Sequence, residues 1–241
     1  MSLIIDPYRF GAAAAFDPSI ITWHTAFWAD DPSWSNPGDG NAVSSWRDFS
    51  GNSRDATQGT GGKQPIFRAS TTNLNNRASV DFDGSNDFLV TASFTALSQP
   101  VSVVVVAEWK GGTGANDYLF NVGLPSDILA VLRRNSDGLW RANPGTTGLG
   151  TISATAAGHA ISIVFNNTST SFRVDNNSAD TGGAGTRQAA QVHLGAFDST
   201  PTEPGDYRIA FFGLYNGTVT SDGQWSTFKA ALNTYYGTSL A

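Results

Sequence analysis

An all-β sandwich with one small C-terminal helix is the fold class this sequence predicts. Three observations carry it. Many short β-type runs are separated by turn residues. One long run of β-branched side chains lies near the middle of the chain. Helical periodicity is confined to residues 221–237. The chain has 241 residues and 40% hydrophobic content, enough for one large core. A sandwich of this length is ordinarily a single domain, and no internal repeat is visible.

Residues 1–22 read as an N-terminal arm for docking or assembly, and 23–241 as the sandwich domain. The run Ala12–Ala15 fits a helical turn or a packed extended segment equally. From Trp23 to Asn52 the text is aromatic and turn-rich. Asn36-Pro37 and Gly38-Asp39-Gly40 punctuate it as loop, and Val43, Trp46 and Phe49 seed a buried corner. ASVDF (78–82) and DFLVTASF (87–94) then flank Asp83-Gly84-Ser85-Asn86, which reads as strand, turn and second strand. VSVVVVAEW (101–109) is nearly continuous in β-branched residues, as suits a strand covered on both faces.

DYLFNVG (117–123), ILAVLRR (128–134) and LWRAN (139–143) follow, the last two joined by the hairpin turn Asn135-Ser136-Asp137-Gly138. HAISIVF (159–165) and TSFRVDN (170–176) form another predicted hairpin across Asn166-Asn167-Thr168. QVHLGAF (191–197) and YRIAFFGLYNG (207–217) complete the strands. In 221–237, Trp225, Phe228, Leu232 and Tyr235 recur at helical spacing, with Ser221 or Asp222 as N-cap and Gly237 at the end. The Gly/Thr-rich stretches read as loops within the domain.

Composition removes several function classes. The formal charge is −6 and no Lys/Arg cluster exists, so nucleic acid is not an expected partner. The absence of cysteine removes disulfide and thiolate chemistry. Asp6, Pro7 and Arg9 interrupt any secretory h-region. No apolar run has the length of a membrane helix, so the expectation is a soluble protein without an N-terminal export signal or membrane insertion. His24, His159 and His193 are scattered, and there is no G-x-S-x-G elbow or H-E-x-x-H pair. Each histidine is expected to be a strand residue with a satisfied ring.

WRDFSGNSRDATQ (Trp46 to Gln58), then Pro65, then VDFDGSNDFL (Val80 to Leu89), and finally IAFFGLYN (Ile209 to Asn216) before a helix and Tyr236-Gly237, resemble the laminin-G-like, concanavalin-A-like jelly-roll domain. The resemblance covers roughly residues 23–237. The bare arrangement is similar to stand-alone members encoded by tailed bacteriophages as minor tail proteins. With an arginine-over-lysine and Gly/Ala/Thr bias that a GC-rich genome would give, it resembles those of phages infecting actinobacteria. This implies a non-catalytic virion protein of the phage tail, acting in host-surface glycan adhesion or tail assembly. Its implied partners are other tail proteins and further copies of itself, with a trimer favoured. The alternatives are a stand-alone bacterial carbohydrate-binding module and, behind it, a divergent glycoside hydrolase.

Hydrolysis needs two facing carboxylates, and Glu108 and Glu203 are the chain's two glutamates. The Glu-x-Asp strand pattern of glucanases with this fold is missing, so no enzyme is expected. Calcium is the one cofactor to consider. Asp81, Asp83 and Asp87 offer oxygens at short spacing, but Gly84 sits at the wrong position for an EF-hand, and the turn reading is preferred. Trp46, Trp109 and Trp225 are expected in the core. Trp34 lies in a loop and is expected to be exposed. Trp140, with Arg141 and Asn143, is a candidate saccharide platform, although a structural role for Trp140 is preferred.

Overall fold

The computed structural model describes residues 16–111, 116–124, 128–134, 137–143, 148–183, 185–200 and 203–241. Its strands are β1 Thr25–Trp28, β2 Ser45–Trp46, β3 Ala56–Thr57, β4 Ile66–Thr71, β5 Arg77–Asp81, β6 Leu89–Val90, β7 Val101–Trp109, β8 Asn116–Asn121, β9 Ala130–Arg134, β10 Leu139–Asn143, β11 Gly158–Phe165, β12 Thr170–Val174, β13 Asp180–Gly182, β14 His193–Leu194 and β15 Tyr207–Tyr215, and the helix α1 is Trp225–Tyr236. They form two antiparallel sheets. The first runs β13-β12-β11-β7-β15-β5-β4, with β1 also paired to β15, and the second runs β10-β9-β8-β14-β6-β3-β2. This is an all-β jelly-roll sandwich with a short C-terminal helix, as the sequence predicts.

The long run of valines explains itself once placed. β7 lies between β11 and β15 in the first sheet. Val101, Val103, Val105 and Ala107 point into the core between the sheets. Val104 and Val106 point the other way, into a second cluster with Phe228, Leu232 and Tyr236 of α1. Both faces are dry, so neither needs polar alternation. β15 behaves alike, and a register shift between Ile209 and Phe211 re-phases it, so that Phe211 faces α1 while Phe212 faces the inter-sheet core.

Three sequence expectations change here. First, residues 16–22 of the expected arm belong to the body. Phe16 is 3% exposed and packs against Tyr235, Trp28 and Phe228, and Trp23 donates its indole N–H to the Pro18 carbonyl at 2.8 Å. Residues 1–15, including the alanine run, lie outside the described residues. Second, α1 begins at Trp225, two to three residues later than an N-cap at Ser221 or Asp222 predicts. Ser221 ends a 3-10 turn (Val219–Ser221), and the N-cap is Gln224, without a side-chain cap; the Asp222 carboxylate instead accepts from the Gln224 N–H at 2.8 Å in the turn leading into the helix. The C-terminal expectation holds, since Gly237 closes the helix at φ +68. Third, the strands flanking Asp83–Asn86 are not partners. β5 pairs with β15 and β4, whereas β6 pairs with β14 and β3. The stretch 80–90 therefore carries the chain from one sheet to the other.

One edge of each sheet is covered by a loop. Along β4, Phe67 exchanges backbone bonds with Gly40 and Asn41, and Val43 donates to Pro65. Along β10, Trp140 donates to Ile152, and Ala142 exchanges bonds with Leu149. Loop 36–43 thus lies against the exposed side of β4 as an irregular extra strand.

Candidate functional site

The tryptophans suggested as a binding surface are inside the protein. Trp140 is fully buried and stacks on Tyr207 with ring centroids 5.8 Å apart. Alternation on β10 sends it inward and leaves Arg141 and Asn143 half-buried on the other side. Arg141 is engaged by Asp137 at 2.6 Å and by the Gly150 carbonyl. A platform made of these three residues does not form, because the ring and the polar groups face opposite ways.

Trp34 corrects the sequence expectation more directly. It lies in a loop but is only 7% exposed. It stacks on Trp46 at 5.9 Å, meets Phe67 edge-to-face at 5.6 Å, and donates its indole N–H to the Ser45 carbonyl at 3.2 Å. Its rim separates two surface grooves. One, of about 430 Å³, is lined by Trp34 and Phe67 together with Asp30, Asp31, Asn36 and Asp39. The other, of about 370 Å³, is hydroxyl-rich, with Ser33, Ser35, Ser44, Ser45 and Arg47. A bridge from Arg47 to Asp31 ties the two together.

The loop that makes these grooves is rigidly specified. Asn36 Oδ1 accepts from the Gly38 N–H at 3.0 Å in an Asx turn, and Gly38 and Gly40 adopt φ +85 and +76. Asp39 Oδ1 accepts from the Ala69 N–H at 2.8 Å, which pins the loop to β4. Asp30 is held by the Tyr235 hydroxyl at 3.0 Å, and burial pushes its carboxyl above the ordinary range. The sequence marked this stretch only as punctuation. Asn36 and Asp39 were visible as turn residues, but their meeting with Asp30 and Phe67 depends on pairing across 30 residues and more.

The proposed calcium ligands do not assemble as a set. Asp81 is 6% exposed and faces cations of the chain itself: Lys110 Nζ at 2.6 Å, Arg68 Nε at 2.9 Å and Arg208 Nε at 3.4 Å. Burial would raise its carboxyl, and these cations outweigh burial and hold it below the usual range. Asp83 accepts from the Ser85 and Asn86 N–H groups, and Asp87 accepts from the Asp83 N–H. Burial and the neighbouring Asp83 push the Asp87 carboxyl up to about 7. Among the described residues no group of three or more His, Cys, Asp or Glu side chains is placed to hold a metal ion. An ammonium group already stands between Asp81 and Asp206.

Register explains the surrounding charges. Glu108 on β7 lies opposite Arg208 on β15, which lies opposite Asp81 on β5, with Arg68 of β4 beyond. This alternating row occupies the part of the first sheet's outer face that α1 leaves bare. Glu108 accepts from Asn73 at 2.7 Å and from Arg208 at 3.1 Å, and Glu203 accepts from Asn116 at 2.6 Å. The histidines divide. His159 is bonded by Asp175 at 2.6 Å and Thr155 at 2.9 Å, and His24 contacts Thr25 at 3.2 Å. His193 is fully buried with both ring nitrogens unpartnered, contrary to the expectation of a satisfied ring, and burial lowers it to about 4.

No protein-family model matches this chain, and neither does any curated protein sequence. Solved structures do. Trypanosoma rangeli sialidase in complex with sialic acid is similar over 87% of this chain and 32% of its own, with a TM-score of 0.58 and 14% identity. The same sialidase bound to 2,3-difluorosialic acid covers 95% of this chain and 35% of its own, with a TM-score of 0.59 and 12% identity. The receptor binding domain of botulinum neurotoxin D is similar over 91% of this chain and 56% of its own, with a TM-score of 0.57 and 10% identity. The chain thus spans about a third of the sialidases and just over half of the toxin domain. These likenesses define a β-sandwich fold.

Proposed function

We propose that this chain is a non-catalytic adhesion module that binds a glycan in the grooves beside Trp34, and that it serves in the tail of a bacteriophage as a host-contact or assembly component. The observation that carries the binding reading is the first groove, which Trp34 and Phe67 line together with the hydrogen-bonding side chains of Asp30, Asp31, Asn36 and Asp39. The non-catalytic reading is supported by Glu108 and Asp81, whose carboxylates are committed to ion pairs. The tail role is supported by the resemblance of the Trp46–Gln58 and Val80–Leu89 strings to the laminin-G-like domain and of the chain's arrangement and composition to the stand-alone members that tailed phages encode, and trimeric assembly would multiply a weak single-site affinity.

Binding is tested by pull-down on cell-wall polysaccharide from the host. The wild type is expected to be retained, and the Asn36→Asp variant, which keeps the oxygen that the Gly38 N–H needs and removes the amide donor, to lose roughly tenfold in affinity while folding normally. Retention that ignores this variant would place the site elsewhere, and no retention at all would end the adhesion reading. Antibody labelling of purified particles tests the tail role, and a native mass of three copies tests the trimer.

A further inference from the structure

The identity of the sugar is constrained by the charges around the first groove, and this inference rests on the adhesion reading. The lining residues include Asp30, Asp31, Asn36 and Asp39 and no lysine, arginine or histidine. Two carboxylates are committed. Asp31 faces Arg47 and accepts from the Ser33 N–H, and Asp30 accepts from Tyr235 and the Ala78 N–H. Arg47 lines the adjoining groove, and the nearby Arg77 is stacked over the Tyr235 ring at 3.8 Å, so both cations are occupied. Asp39 uses one oxygen for the Ala69 N–H, and Asn36 uses its oxygen for the Gly38 N–H. Among the described residues, Asp39 Oδ2 and Asn36 Nδ2 have no partner. One charged acceptor and one amide donor, on the same short loop, are what a pair of sugar hydroxyls requires. A carboxylate on the ligand would meet Asp39 with no cation to offset it.

We propose that the groove beside Trp34 takes a sugar that bears no acid group, and that a free amino group on the ligand strengthens binding through Asp39. This departs from what the fold likeness alone would suggest, since the sialidase structures hold sialic acid, an acidic sugar. Like charge across a recognition surface suppresses the wrong partner more strongly than it alters contacts with the right one.

The test is a glycan array carrying neutral, amine-bearing and sialylated oligosaccharides, probed with the wild type and with Asp39→Asn. The asparagine keeps the oxygen that Ala69 needs and removes the charge. Neutral and amine-bearing members are expected to bind, with sialylated members about tenfold weaker or more. Asp39→Asn exchanges the free acceptor for an amide donor, so it is expected to weaken neutral members and to weaken amine-bearing members about threefold or more beyond that, lowering the amine-to-neutral affinity ratio. Sialylated members binding as well as neutral ones would overturn this inference while leaving adhesion intact. An unchanged amine-to-neutral ratio in Asp39→Asn would remove the role of Asp39. Silence across the whole array would overturn the adhesion reading together with it.

Discussion

Single side chains in this protein are tuned by what buries them. Asp87 is 6% exposed, and burial together with Asp83 raises its carboxyl to about 7 from an ordinary 3.8. The folded state therefore holds a proton that the unfolded state releases. Its contribution is fully present below pH 4 and is lost as pH rises through 7. Asp87→Asn cannot ionise, so it should be more stable than the wild type at pH 8 by about 2 kcal/mol, or roughly 4–8 °C in Tm, with no advantage at pH 4. Equal melting differences at both pH values would show that Asp87 does not ionise against its surroundings. His193 works in the opposite sense, because its folded value of about 4 lies below the ordinary 6.5. Its stabilisation is complete above 6.5 and declines as pH falls towards 4. None of this was legible in the sequence. A histidine on a strand and an aspartate in a turn look alike whether or not they are covered.

Elements were easier to read than their partners. The β-branched run at 101–109, the hairpin of β11 and β12, and the helical spacing of Trp225, Phe228 and Leu232 all appear as local patterns and all form. The crossing between β5 and β6 did not show, because alternation fixes which face a side chain takes and not which sheet the strand joins. That choice is made by Thr57 and His193, both paired to Val90 from distant parts of the chain. The crossing turn depends on Gly84, at φ +71, where a Cβ would come within 2.8 Å of the Asp206 Cβ. Gly84→Ala should thus cost about 2 kcal/mol or more in chemical denaturation, through backbone strain and displacement of Asp206 from Lys110. A change of less than half that would mean the turn relaxes freely.

At the level of the whole molecule, the first sheet is covered twice. Its inner face packs on the second sheet, and much of its outer face lies under α1 and residues 16–23. Deleting residues 218–241 would strip Val219, Trp225, Phe228, Leu232, Tyr236 and Leu240 from Val104, Val106, Ala160 and Phe211. The shortened chain is expected to bind a hydrophobic dye and to aggregate in sedimentation. If it remained monomeric with the parent's melting temperature, the helix would be an ornament on a self-sufficient sandwich. The fold class was legible because turn spacing and patterning repeat over the whole chain. The candidate site was legible only in part. Trp34 drew notice as an aromatic in a loop, but its grooves arise from packing on Trp46 and Phe67.

Loop 36–43 carries two duties, since it walls the groove beside Trp34 and also satisfies the backbone of β4. Inserting or deleting residues there would reshape the groove and uncover a strand edge in the same step. Evolution or engineering of new specificity therefore has a narrow route. It runs through exchanges at Asn36 and Asp39 that keep the oxygens Gly38 and Ala69 bond to, on a backbone of fixed length, with Gly38 and Gly40 retained for their positive φ. Homologous chains that differ around this groove are therefore expected to carry substitutions within the loop far more often than changes in its length.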